Sequence, residues 1–401
     1  MSAQKKIPSK FILFSALAIL VIFVLEKINH RFWLNDFKVY YGAAQSLIHN
    51  NQVYGVAYGL DSGLYKYSPF VAIAVAPLTI FSFETAAVVQ FFLIAVSIIV
   101  SFIISWKIIN TYLFNDGIKN SELLLSFGFI CIVNHLFREL HLGNVNVILL
   151  MLMCFSLLSI LRSRFLLAGI LLAIVIMTKP FFILLLMPLV LRKNFRTILS
   201  FGVSLLLLMF LPAIFTGFQK DIALHKDWLH TMIEHNSSFP SSNTMESLVK
   251  VYVNPDLSAS FQFYVMIAAC IFYLIFFLIN QSLERKGEKQ TKPDSKGLIM
   301  EWFLLIAITP LLFKTDTQHF LLSLPLILIL LCYLSVVKNY FLSACFILLI
   351  FFYGGNSSDL VGKAFSTRLD DLGILGISNT LIIGWAIFIY YKSIRRGFQM
   401  S

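Results

Sequence analysis

The chain has 401 residues, of which 59% are hydrophobic and only 13% charged, and its mean hydropathy is +0.84. A soluble domain carries about 25% charged residues, so this sequence has too little polar surface to coat itself in water. Several apolar runs exceed the roughly 18 residues that mark a membrane-crossing helix, which excludes a soluble enzyme, a nucleic-acid-binding module and a disordered scaffold. The expected fold class is an all-α polytopic membrane protein, read as a single integral membrane domain over residues 1–401.

The net charge of +11 reports orientation, because roughly half of the cations sit in short segments beside apolar runs. Lys5, Lys6 and Lys10 precede the first run, Arg162 and Arg164 separate two others, and Arg192, Lys193 and Arg196 follow a third. Arg285, Lys286, Lys289, Lys292 and Lys296 cluster in one loop, and Lys392, Arg395 and Arg396 follow the final run. Nothing in this pattern calls for a nucleic-acid partner. The five cysteines lie in apolar stretches without CxxC spacing and read as small buried hydrophobes.

In chain order, the expected spans are 10–28, 68–83, 86–107, 122–137, 145–162, 165–178, 180–192, 197–217, 260–281, 298–313, 319–337, 339–353 and 374–391. The first reads as a retained anchor with a cytoplasmic N-terminus, since Glu26, Lys27, Asn29, His30 and Arg31 follow it instead of a small-residue cleavage site. Three polar loops remain: 29–67, 218–259 and 282–297. The last is cytoplasmic by its cations, which puts 218–259 outside, one span away. There Lys220, Lys226 and Lys250 are outnumbered by Asp221, Asp227, Glu234, Glu246 and Asp256. Parity then makes one of the eight candidates before 218 re-entrant or surface-lying, or two of them one crossing, the suspects being 122–137 and the pair 165–178/180–192. Merging 165–178 with 180–192 would put Arg162 and Arg164 outside, so the re-entrant element is expected near 122–143, leaving about 12 crossings and both termini cytoplasmic.

The first outer loop carries the sharpest pattern. In NDFKVYYGAAQSLI (35–48), Phe37, Tyr40, Tyr41, Ala44, Leu47 and Ile48 share one helical face, with Lys38, Gly42, Gln45 and His49 opposite. Such a helix is expected to lie in the outer membrane interface. Asp36 at its start reads either as an N-cap or as a carboxylate facing chemistry at the boundary. Tyr54, Tyr58, Tyr65 and Tyr67 follow, most simply as interfacial belt aromatics, and Lys66 places a cation where the chain enters the next helix.

Asp-aromatic, then YY, AA, VY and YKY-x-P running into a helix resembles the first loop of the polyprenyl-phosphate-dependent mannosyltransferases of glycosyltransferase family 87. HLGNVNVILL (141–150) is similar to that family's Gly-Gln-x-Asn stretch, with Asn144 where Gln is usual. The Lys-Pro pair inside 168–196 resembles its paired short helices. Asn243–Leu248 is similar to an Asn-x-Ser-Leu element, and TDTQHF (315–320) resembles an outer loop ending in His. The resemblance covers most of residues 30–330. It implies a glycosyltransferase C-type fold and an inverting transfer of mannose or another hexose or pentose. The donor would be a polyprenyl-phosphate sugar, the acceptor a lipid or glycan, and the site would face outward at the plasma (bacterial inner) membrane.

The residues can be set against that chemistry. An acceptor hydroxyl needs a base, for which Asp36 is the candidate, while a phosphate leaving group needs cations rather than a proton. Lys66, Arg138, Lys179 and His319 are the available positive groups, with Tyr40, Asn144 and Asn146 as further donor-site residues. An ion at membrane depth costs about 2.5–3.5 kcal/mol at a helix centre, which marks Lys179 beside the helix-breaking Pro180 as functional unless it snorkels to the interface. His319 could equally be a satisfied interfacial histidine. Asn144 and Asn146 could cap the helix opening at 145, and His135, Arg138 and His141 read as a re-entrant turn or as part of the phosphate site. Asp61 and Asp316 read as solvated, and Asp370-Asp371 as a loop charge. His225, His230 and His235, five apart, do not share a helix face, and with no DxD or HExxH no metal or cofactor is expected. A transporter or flippase would show internal repeats and paired broken helices; a glycan ligase would be expected to place Arg in its outer loop, and 218–259 has none.

Overall fold

The computed structural model describes residues 8–60, 63–238, 242–256, 261–286 and 295–394. Helices dominate, and the β-structure among the described residues is a single bridge between Ala57 and Leu64. Among the described residues, seven helices are long and apolar enough to cross a membrane: Ser9–Ile28, Phe83–Leu113, Phe195–Thr216, Phe261–Ser282, Ser295–Leu312, Thr317–Val337 and Ile374–Lys392. The pair Ser121–Cys131 and Val133–Leu142 would make an eighth but is bent by 65°, which puts a break where a re-entrant element was expected. Shorter apolar helices run over Pro69–Ile80, Asn146–Leu161, Phe165–Thr178, Pro180–Leu191 and Tyr340–Gly354. The protein is therefore an all-helical, multi-span membrane protein.

The polar loops are more structured than their composition suggests. Segment 29–67 contains the helix Asn35–Ile48, and 218–259 contains Phe218–Ser238 and Met245–Tyr252. Asp370 and Asp371 close the helix Lys363–Asp371 instead of standing in a loop, and Asp370 accepts a hydrogen bond from Asn356 (2.8 Å). Lys5, Lys6, Asp61, Lys289, Lys292, Arg395 and Arg396 lie outside the described residues.

The chain divides into two compact units. One comprises 13–104 and 136–239. In it, Phe165–Thr178 packs between Asn146–Leu161 and Phe195–Phe210, and small residues set the spacing. A Cβ on Gly169 would lie 2.5 Å from the Phe201 backbone nitrogen and from Ser200 Cβ. Ser200 donates to the Leu166 carbonyl (2.8 Å) and Ser156 to that of Ala168 (2.9 Å). With little hydrophobic drive between helices in lipid, such close approach and hydroxyl–carbonyl bonds hold the contact. The helix Phe218–Ser238 is tied to the first loop, where Trp228 donates to the Lys66 carbonyl (3.2 Å) and Lys220 to that of Asn50 (2.7 Å).

The other unit comprises 1–12, 105–135 and 240–401. Its centre is Ser295–Leu312 with Thr317–Val337, both buried along most of their length, whereas Phe261–Ser282 is largely exposed and apolar, as a lipid-facing helix must be. Buried polar groups join its helices. Glu301, fully buried, faces the Tyr273 hydroxyl (3.4 Å) and Asn280 Nδ2 (3.3 Å). Asn379 accepts from Ser323 (2.6 Å) and donates to the Ala307 carbonyl (2.9 Å). Asn379→Leu strands both partners in an apolar core and is expected to cost about 1–3 kcal/mol, read as a lower thermal unfolding midpoint in detergent.

Candidate functional site

The site residues of the first unit assemble around the turn between Val133–Leu142 and Asn146–Leu161. Gly143 makes that turn. Its φ is +69°, and its amide bonds back to Glu139 O (3.0 Å), a left-handed helix stop that favours glycine. A Cβ there would also lie 2.9 Å from Phe37 Cβ and 3.0 Å from Leu34 Cβ. Glycine thus lets the turn close directly onto the start of Asn35–Ile48, which carries Asp36.

Asp36 lies inside the first turn of that helix. The N-cap position is Leu34, in the left-handed region at φ 41°, with no side-chain cap. The capping reading of Asp36 is thereby replaced. Its half-buried carboxylate accepts from Asn144 Nδ2 at 2.5 Å and keeps the favourable field of the helix start. Asn144 is itself fixed, since its Oδ1 accepts from Val145 N (2.7 Å) and lies 3.3 Å from the Tyr40 hydroxyl. Tyr40 is 2.8 Å from the Tyr67 hydroxyl, and the two rings meet edge to face at 4.8 Å. Burial, with Tyr67 and Asp36 close by, pushes the Tyr40 hydroxyl well above its ordinary range.

Lys179 enters from the other side. It is 5% exposed and sits in an extended residue (φ −136°, ψ 98°) between Phe165–Thr178 and the 3₁₀ turn Pro180–Leu185, so the paired short helices fall where the Lys-Pro pattern put them. Snorkelling is replaced by burial. The ammonium donates to Asn146 Oδ1 (2.5 Å) and lies 5.7 Å from the Tyr67 ring centroid and 6.0 Å from that of Phe181, within cation–π range. Asn146 Nδ2 donates to Glu139 Oε2 (2.8 Å), and Glu139 Oε1 accepts from Val147 N (3.0 Å). Helix Asn146–Leu161 has no side-chain cap at its N-cap, Val145; Glu139, not Asn144 or Asn146, bonds an amide of its first turn.

Asp36, Tyr40, Asn144, Asn146 and Lys179 are thus brought together, joined by Tyr67 and Glu139. Lys66, next to Tyr67, is half-buried, and Arg138, next to Glu139, is exposed. His319 belongs to the other unit, 6% exposed in the turn Thr317–Ser323 with Nδ1 3.1 Å from the Asp316 carbonyl. His135, also there, contacts the Tyr353 carbonyl (3.0 Å), and His141 pairs with Glu26 (3.0 Å). His225 and His230 have their carboxylate partners one turn away, Asp221 and Glu234.

The expected apolar face of Asn35–Ile48 is buried in protein apart from Ile48, which is 43% exposed. The helix packs on Pro69–Ile80, and the tyrosines that follow it form struts inside the loop instead of a belt. Tyr54 donates to the Tyr67 carbonyl (2.8 Å) and Tyr65 to that of Ser68 (2.7 Å), both buried.

Glu139 is the residue the sequence reading passed over. On Val133–Leu142 the buried positions are His135, Leu136, Glu139 and Leu140, while Phe137 and Arg138 are exposed. A carboxylate on the apolar stripe of an amphipathic helix was the available signal.

Fold and site define a class: a multi-span helical membrane protein with acidic, basic and amide side chains gathered into one network. The chain belongs to glycosyltransferase family 87, whose family model matches residues 65–291. It is a membrane glycosyltransferase. The matched stretch contains Glu139, Asn144, Asn146 and Lys179, while Asp36 and Tyr40 precede it and His319 follows it. A comparison with curated proteins gives no match.

Gly143→Ala is expected to lower stability by about 1 kcal/mol or more, from the left-handed backbone and the clash with Phe37. Thermal unfolding of the detergent-solubilised variant measures it.

Proposed function

We propose that the protein transfers a sugar from a polyprenyl-phosphate donor to a lipid or glycan acceptor at the outer face of the plasma membrane, with inversion at the anomeric carbon. The reading takes a glycosyltransferase C-type fold with about twelve crossings and both termini in the cytoplasm. Mannose is the first sugar to test, by resemblance to the family's better-known members. Asp36 is the base that takes the acceptor proton as its oxygen attacks the anomeric carbon, and the electrons of the breaking C–O bond leave on the phosphate. That phosphate leaves without protonation and is met by positive charge, chiefly Lys179. Lys66 and Arg138, in the same unit, are candidates for further phosphate contacts. No metal or cofactor takes part in this scheme.

One observation carries the reading. The carboxylate suited to a base and the ammonium suited to a phosphate are linked within one unit, through Asn144, Tyr40 and the Tyr67 ring. The hydrogen bond from Asn144 orients the Asp36 carboxylate before substrate arrives, as a general base requires.

Two variants test it in purified full-length protein with a radiolabelled polyprenyl-phosphate sugar. Asp36→Asn is expected to lower kcat by about 10²–10⁴-fold with donor binding retained; undiminished transfer would remove Asp36 as the base. Lys179→Met is expected to weaken donor binding about tenfold or more through loss of a charge-assisted hydrogen bond. Unchanged affinity would remove Lys179 from the donor site.

A further inference from the structure

We propose that Glu139 is a positioning residue for donor recognition, acting through Asn146 to hold the Lys179 ammonium in place. The inference rests on the reading of Lys179 given above. Glu139 is fully buried, and each carboxylate oxygen has its own partner: Oε1 accepts from Val147 N and Oε2 from Asn146 Nδ2. Those two bonds fix the carboxylate against the start of helix Asn146–Leu161, where the partial positive charge of the helix end favours it.

The Asn146 amide is oriented by what flanks it. Its oxygen faces the ammonium and its NH₂ faces the carboxylate. The flipped amide would set NH₂ against ammonium and oxygen against carboxylate, both repulsive, so the amide transmits the position of Glu139 to Lys179 with a defined polarity. Lys179 needs such a constraint. It lies in an extended residue at a helix break, and a lysine stem has four rotatable carbons that no regular backbone holds in register. Glu139 also offsets the cost of burying that ammonium, as a carboxylate near a buried cation does.

The role differs from that of Asp36. Glu139 is anchored to the Val147 backbone and to Asn146, whose oxygen meets Lys179, and it acts on where the positive charge sits. Its removal should therefore raise the donor KM and spare kcat, whereas loss of Asp36 lowers kcat.

The experiment is a double-mutant cycle in full-length, detergent-solubilised protein, with a polyprenyl monophosphate as the binding probe and the labelled donor for kinetics. Glu139→Gln keeps the shape and removes the charge. It is expected to weaken probe binding and raise the donor KM about tenfold, with kcat and the acceptor KM changed less than about twofold and with Glu139→Asp recovering part of the loss. The double variant Glu139→Gln/Lys179→Met is expected to bind no more weakly than Lys179→Met alone, since Glu139 acts only through the lysine. Wild-type binding by Glu139→Gln, or losses that multiply in the double variant, would overturn the proposal while leaving Lys179 in the donor site. If Lys179→Met alone binds normally, the donor-site reading and this inference both fall. Should Glu139→Gln not fold, restored folding in the double variant supports the coupling, because the lone buried charge is then gone. A double variant that remains unfolded counts against it.

Discussion

A lysine ammonium that is 5% exposed within a bundle of apolar helices is the constraint from which the site follows. Breaking a buried ion pair by removing one partner costs about 3–5 kcal/mol, so the surrounding backbone must deliver partners to the ammonium and hold them. The Lys179-Pro180 break exposes an extended residue from which the side chain can enter the interior. Close contact at Gly169 keeps Phe165–Thr178 against its neighbours, and the Gly143 turn delivers Asn144 and Asn146 just after one sharp change of direction. Asn144 serves Asp36 and Asn146 serves Lys179. One short turn thereby divides two opposite charges between two amides.

This division suits the transfer chemistry proposed for the site. A base and a phosphate-binding cation that touched each other would neutralise one another and leave neither for substrate. Here amide and tyrosine side chains intervene, keeping each charge oriented while they remain distinct. Tyr40 and Tyr67 add apolar bodies with polar tips that are hydrogen-bonded into the network.

Much of the scaffold could be read from the sequence. Hydrophobic runs gave nearly every apolar helix within a few residues, though not the helices of the polar loops, and Lys179-Pro180 gave the boundary between Phe165–Thr178 and Pro180–Leu185. Those features depend on local composition and on proline's missing amide, which a sequence displays directly. Asp36 was visible by its place ahead of an apolar periodicity, but not its partner: the bond to Asn144 spans 108 residues. The same holds for the tyrosines of 54–67, whose composition alone matches a membrane belt. Glu139 was hidden by its neighbours. Flanked by Arg138 and His141, it looked like part of a polar break, and only the turn at Gly143 reveals that it faces Asn146.

The most direct measurement is a structure of the full-length protein with a polyprenyl-phosphate sugar bound. The expected result is a donor phosphate within hydrogen-bonding distance of Lys179 Nζ, and the Asp36 carboxylate on the opposite face of the anomeric carbon. A donor seated elsewhere, with Lys179, Asn146 and Asp36 undisturbed and remote from the phosphate, would contradict it.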